Sequence, residues 1–132
     1  MTIFIDTSAL YALMDADDAN HQEARVLWTR CLTKNQQFVT SNYVLVESIT
    51  LIQRRLGLEA ARLFQSELLP CLHVHWVDET LHSIAMKTLL AARLRGLSLV
   101  DNTSFEIMRS LGLETVFGFD KHFTDQGFSR LS

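Results

Sequence analysis

Short apolar runs alternating with amphipathic helices constrain this chain's fold more than any other feature of its sequence. "TIFI", at residues 2–5, is β-branched and aromatic and stops at a polar "DTS". A run so short and so sharply bounded reads as a strand buried on both faces. "QFVTS" reads as a second strand, "LHVHWV" as a third whose alternation suits an edge, and "ETVFGF" as a fourth. The closing "DKHFTDQGFSRLS" holds a turn and room for a fifth.

Helical spacing fills the intervals. "SALYALMDA" starts a helix that Thr7 or Ser8 can cap. In "ANHQEARVLWTRCLTKN", Ala24, Leu27, Trp28, Cys31 and Leu32 recur at the spacing of an amphipathic helix. "NYVLVESITLIQRRLG" is a helix stopped by Gly57, and "LEAARLFQSELLP" is another, stopped near Pro70. "DETLHSIAMKTLLAARLRG" and "NTSFEIMRSLG" end at Gly96 and Gly112. The alternation predicts an α/β fold: a three-layer α/β/α sandwich with a central, mainly parallel sheet of four to five short strands. With 132 residues, 48% of them hydrophobic, and no linker or repeat, residues 1–132 read as one domain able to bury its own core.

Composition narrows the setting. No apolar stretch reaches the roughly 18 residues that a bilayer span needs. "MTIFIDTSAL" lacks the basic start and cleavage site of a signal peptide, so a cytoplasmic protein without membrane contact is expected. Cys31 and Cys71 share no Cys-x-x-Cys spacing and read as reduced thiols. The net charge of −3 gives no overall attraction to nucleic acid. Charge is nevertheless uneven. Residues 1–23 hold five acids (Asp6, Asp15, Asp17, Asp18, Glu23) and no Lys or Arg. Residues 24–66 hold six basic residues (Arg25, Arg30, Lys34, Arg54, Arg55, Arg62) against Glu47 and Glu59. Two readings stand: ordinary solvated faces, or an acidic metal-binding end flanked by phosphate-binding arms.

In an open α/β sheet, ligands gather beyond the carboxyl ends of the strands, where strand order reverses. Asp6 ends the first strand and Asp120 directly follows "TVFGF". Asp101 opens a helix that leads into that last strand; such a helix runs opposite to the strands, so its start lies at the same edge. Glu47 sits in the first turns of the helix after "QFVTS". It falls on the rim of the arc set by Val44, Leu45, Ile49, Ile52 and Leu56, where a charge is partly desolvated unless compensated. Each acid also has a local use open to it. Asp6 and Asp101 can cap helices, or Thr103 can be the cap with Glu106 as its box partner. Glu47 can pair with an arginine, and Asp120 can begin a turn. Four carboxylates at one edge repel, and a cation among them relieves the repulsion. All four offer oxygen, which favours Mg2+ or Mn2+ over zinc.

"FIDTSAL", a helical "VE", "GLSLVDNTSFEIM" and "GFDKHF", in that order from Ile3 to about Phe128, resemble the PIN-domain nucleases, and among them the VapC-type toxins. "SLVDNTSFEIMRSLG" followed by "FGFDKHFTDQGF" is the most specific part. The resemblance implies a Mg2+- or Mn2+-dependent endoribonuclease that cleaves single-stranded RNA, as the toxin of a type II toxin–antitoxin pair. Asp6, Glu47, Asp101 and Asp120 would form its catalytic and metal-binding pocket. Asp6 and Asp101 would be the closest ligands, and a water would attack phosphorus in line. Thr7, Ser8 and Thr103 would be hydroxyl partners of a water or phosphate, and Asp125 an outer charge. Arg54, Arg55, Arg62, Arg93, Arg95 and Lys121 are candidates for RNA phosphate contacts. A homodimer is also implied, with an antitoxin that can insert an arginine among the carboxylates. Two other classes stay open: another Mg2+-dependent phosphoryl-transfer enzyme such as a phosphatase, and a non-catalytic RNA- or partner-binding domain on the same fold.

Other signals are weaker. "HVH" puts His73 and His75 on one strand face, without a third zinc ligand nearby. There is no GxSxG elbow and no glycine-rich phosphate loop, and "DTS" lacks the second aspartate of an Asp-x-Asp motif. Tyr11, Trp28, Tyr43 and Trp76 read as core or interface residues rather than base-stacking platforms.

Overall fold

Ile3, Phe4 and Ile5 are fully buried, and the sheet is built around them. In this computed structural model, which describes residues 1–92 and 96–132, β1 (Thr2–Ile5) is the central strand of five. β2 (Gln37–Ser41) and β3 (Leu72–His75) continue the sheet on one side, and β4 (Thr115–Phe117) and β5 (Ser129–Arg130) on the other. The order is β3-β2-β1-β4-β5 and every pairing is parallel. The α/β sheet expected from the alternation is present, and β3 lies at an edge as its polar alternation suggested.

Seven helices flank the sheet among the described residues: α1 (Thr7–Met14), α2 (His21–Thr33), α3 (Asn42–Leu56), α4 (Leu58–Leu63), α5 (Glu79–Ala91), α6 (Leu99–Leu111) and α7 (His122–Asp125). The core is aromatic. Phe4, Phe38, Phe64, Phe105, Phe117 and Phe123 are its largest fully buried side chains. Burying each is worth roughly 1.5–3 kcal/mol. Phe105 meets Phe123 edge to face at 5.1 Å, and Trp28 of α2 stacks on Phe38 at 4.8 Å.

Strand order creates the site. After β1 the chain moves outward through β2 to β3, then crosses back to place β4 on the other side of β1. The reversal lies at the carboxyl ends of β1 and β4, the place where ligands bind in open α/β sheets. Phe4 pairs with Val39, Ile5 with Phe117, and Ser41 with His75. Continuing that register, Asp6 lies level with Ser41 and His75 on one side and with Gly118 on the other.

Several element boundaries differ from expectation. Asp6, not Thr7 or Ser8, caps α1: its carboxylate accepts the Ser8 N–H. The helix expected from Asn102 begins at Leu99, because Ser98 and Asp101 form a reciprocal capping box. Asp101 is therefore the third helical residue, not the cap, and Thr103 is not the cap either. α5 stops at Ala91, with Ala92 extended, rather than running to Gly96. The helix expected to run to Pro70 ends at Leu63 and continues as one π turn (Phe64–Leu68) and one 3-10 turn (Leu69–Cys71). Pro70 cannot donate to a continuing α-ladder, and the looser turn begins at the fully buried Phe64. The strand in "ETVFGF" ends at Phe117, so Asp120 follows it after Gly118 and Phe119 rather than at once.

Candidate active site

Asp6 is the centre of the site. It follows Ile3, Phe4 and Ile5, all fully buried, so the chain has little freedom to carry its carboxylate out to water, and it is only 6% exposed. Asp6 Oδ2 accepts from the Ser8 hydroxyl at 3.2 Å and from the Ser8 amide at 3.5 Å. Burial is the main cause that lifts its pKa from 3.8 to about 7. The amide of Thr7 opposes the shift, and the negative charges of Asp101 and Glu47 add to it. The charges of Asp101 and Glu47 are thus felt at Asp6.

The same two acids are held differently. Asp101, in the first turn of α6, accepts the Ser98 N–H on Oδ2 at 3.0 Å while its own amide bonds the Ser98 hydroxyl. Glu47 was expected to be partly desolvated on the helix rim. It is exposed instead, because its side of α3 lines an open groove with Thr7, Thr50, Leu51 and Arg54, about 380 Å3 in volume. Asp120 is half-buried; it accepts the His122 N–H at 3.0 Å and lies 3.6 Å from the His122 ring nitrogen.

A clip joins β4's exit to the β1 turn. The Ser8 hydroxyl donates to Asp6 and accepts the Phe119 N–H at 2.8 Å. Gly118 lies between them: a Cβ there would stand 3.1 Å from Asp6 Cβ and 3.3 Å from Ser8 Oγ. Only a residue without a side chain lets the backbone approach so closely. Sequence reasoning offered Ser8 only as a water or phosphate partner and passed over Gly118. A lone glycine beside a strand end marks close backbone approach and was the available signal.

The other sequence candidates separate. Thr7 is buried and accepts from the Ser48 hydroxyl at 3.3 Å, while also lining the groove by Glu47. Thr103 is fully buried and its hydroxyl donates to the Leu99 carbonyl at 2.8 Å, so it has no donor left for a phosphate. Asp125 is exposed at the end of α7. Arg54 lines the groove, and Arg55 lies 5.3 Å over the Tyr11 ring. Arg62 pairs with Glu59 at 3.0 Å, and Lys121 is exposed. Arg93 and Arg95 lie outside the described residues. Of the five N-terminal acids, Asp15 binds the Tyr11 hydroxyl, Asp18 the Asn20 amide, and Glu23 pairs with Arg130. That acidic stretch is therefore mostly local turn and ion-pair chemistry, and Asp6 is its contribution to the site.

Among the described residues, no group of three or more His, Cys, Asp or Glu side chains stands ready to hold a metal. The donor chemistry nevertheless fits a hard cation. Among the described residues, none of the salt bridges involves Asp6, Glu47 or Asp101. A buried carboxylate with negative neighbours and no cationic partner is an unmet electrostatic demand.

Comparison with known proteins identifies the family. The PIN domain family matches residues 3–129. The chain is 39% identical over 127 residues to the 23S rRNA-specific endonuclease VapC20 of Mycobacterium tuberculosis, covering 96% of this chain and 95% of the relative, in both the CDC 1551 and the H37Rv strain. It superposes on the crystal structure of M. tuberculosis VapC20, described as a sarcin–ricin loop cleaving toxin, with a TM-score of 0.85 at 38% identity. That superposition spans 96% of this chain and 95% of the other.

Proposed function

The chain belongs to the PIN-domain family, and from that premise we propose that it is a metal-dependent endoribonuclease acting as the toxin of a toxin–antitoxin pair. One observation carries the reading: a buried Asp6 at the strand-order reversal, with no ion-pair partner among the described residues and with Asp101 and Glu47 adding negative charge to it. The relatives' target, a loop of 23S rRNA, is the first substrate to try.

Asp6 and Asp101 would hold Mg2+ or Mn2+ most closely, with Glu47 and Asp120 completing the set. Such an ion supplies Lewis-acid stabilisation of charge on the phosphoryl and leaving oxygens and acidifies water. The chain's own part is positioning. Ser8 and the Thr7 amide orient Asp6, and the capping box holds Asp101 in the first turn of α6. Arg54 lines the same groove as Glu47, which supports it as a contact for a backbone phosphate. Exposed Val46, Leu58 and Leu63 on α3 and α4 offer apolar surface for an antitoxin or a second copy of the chain. No helix among the described residues is long and apolar enough to cross a membrane, and a ribosomal RNA substrate would be met in the cytoplasm.

The test uses purified protein with 23S rRNA, a target-loop oligonucleotide and p-nitrophenyl phosphate, in Mg2+, Mn2+ or EDTA. RNA should be cut with either metal and spared in EDTA. Hydrolysis of the small ester alone would make the protein a phosphatase, and RNA binding without cutting would make it a non-catalytic domain. Gly118→Ala offers a finer check. Its new Cβ pushes Asp6 and Ser8 apart by a few tenths of an ångström, so cleavage should fall roughly tenfold with folding intact. Unchanged kcat in that variant would mean that the Gly118–Asp6 approach plays no part in catalysis.

A further inference from the structure

The structure sorts the four aromatic residues that the sequence could only group. Tyr11 is buried against Asp15 and Arg55, Trp28 is stacked on Phe38, and Tyr43 packs edge-on to His82 and shares a hydrogen bond with it. Trp76 differs from all three. It is 70% exposed and belongs to no aromatic pairing among the described residues.

Its place in the fold is specific. Trp76 is the first residue past β3, and the preceding His75 lies in register with Ser41 and, one strand further, with Asp6. At about 4.8 Å per strand, His75 is roughly 10 Å from Asp6 along the sheet edge. All strands are parallel, so Trp76 stands at the same edge as the acids. The backbone that carries it is tied down: the Val77 N–H donates to Asn42 Oδ1 at 2.6 Å, and the Asp78 carboxylate caps α5 through the Leu81 amide. The ring is thus held out to water on a fixed support. Its exposed neighbours in sequence are the carboxylates Asp78 and Glu79 and the hydroxyl residue Thr80. A protein interface needs a contiguous apolar patch. A single ring among polar groups suits one flat, separately presented ligand, and every nucleobase has a stacking face.

We propose that Trp76 stacks on an unpaired base of the RNA substrate and sets its register across the carboxylates. This rests on the nuclease reading and adds a substrate-binding residue to it. Three substitutions, read by cleavage kinetics, tryptophan emission and sedimentation, test it. Trp76→Ala should raise KM for RNA cleavage about five- to a hundredfold with kcat unchanged. Trp76→Phe should recover most of that loss, because a ring is restored. In an Asp101→Asn background, titration with single-stranded oligoribonucleotide should quench tryptophan emission, and adding Trp76→Phe should abolish the quench, since only Trp28 then remains.

A wild-type KM in Trp76→Ala, with the quench absent, overturns the proposal while leaving the nuclease intact. A change of sedimentation in Trp76→Ala without any change in RNA affinity overturns it too, and makes the ring a contact between protein chains. If the wild-type protein cuts no RNA, the nuclease reading fails, and the quench titration alone then decides whether Trp76 binds a base.

Discussion

Replacing Asp6 with asparagine should raise the melting temperature of the metal-free protein at pH 8 while removing RNA cleavage. Burial holds the Asp6 pKa at about 7 in the folded chain, against 3.8 ordinarily. Between those values the folded chain binds more protons at this site than the unfolded chain does. Stability therefore falls as pH rises through that window, and the full penalty is present above pH 7. A rise from 3.8 to about 7 corresponds to a penalty of up to about 4 kcal/mol. Asparagine carries no charge to bury and can still cap α1. Its advantage should be absent near pH 4, grow toward pH 7 and then level off. Mg2+ should stabilise the wild-type protein above pH 7, since it binds the folded state alone, and should do so far less for Asp6→Asn. Thermal melts at pH 4, 6 and 8, with Mg2+ or EDTA, read all of this. An Asp6→Asn protein that melts lower than wild type at pH 8 in EDTA would show that the carboxylate is not under electrostatic strain.

Asp101→Asn should lower kcat/KM for RNA cleavage by about a thousandfold or more, with little effect on folding. The variant removes one negative charge from the group around Asp6 while keeping size and shape. If a cation supplies several kcal/mol of transition-state stabilisation, a loss of that order follows from its weakened seat, at about tenfold per 1.4 kcal/mol. The structural cost is small because the amide oxygen of asparagine can still accept the Ser98 N–H and close the box. RNA affinity should hold or improve, since a charge facing phosphate is gone. Cleavage at the wild-type rate would remove Asp101 from the site and, with it, the proposed metal seat.

Both variants act on residues that were legible in the sequence, for different reasons. Asp6 is marked because a carboxylate directly after "TIFI" must stand at the end of a buried strand. Asp101 is marked because a helix leading into the last strand has to begin at the same edge. Glu47 was visible by its place in the first turns of α3, but its exposure was misjudged. Helical angle alone does not tell whether a neighbouring element covers that side of the helix; here an open groove leaves it wet. Thr103 was misjudged for a similar reason. Its hydroxyl binds its own helix, which depends on where the helix starts, and Ser98 decided that.

The alternation of short apolar runs with helical ones was enough to specify a parallel sheet with its acids at the carboxyl edge, because periodicity and strand polarity are local properties written residue by residue. Strand order, register and the burial of each carboxylate belong to the folded chain alone. Nothing local says that β4 returns to the far side of β1, that Gly118 lies against Asp6, or that Trp76 stands bare while Trp28 is stacked. Those are contacts between residues distant in sequence, and only packing selects them.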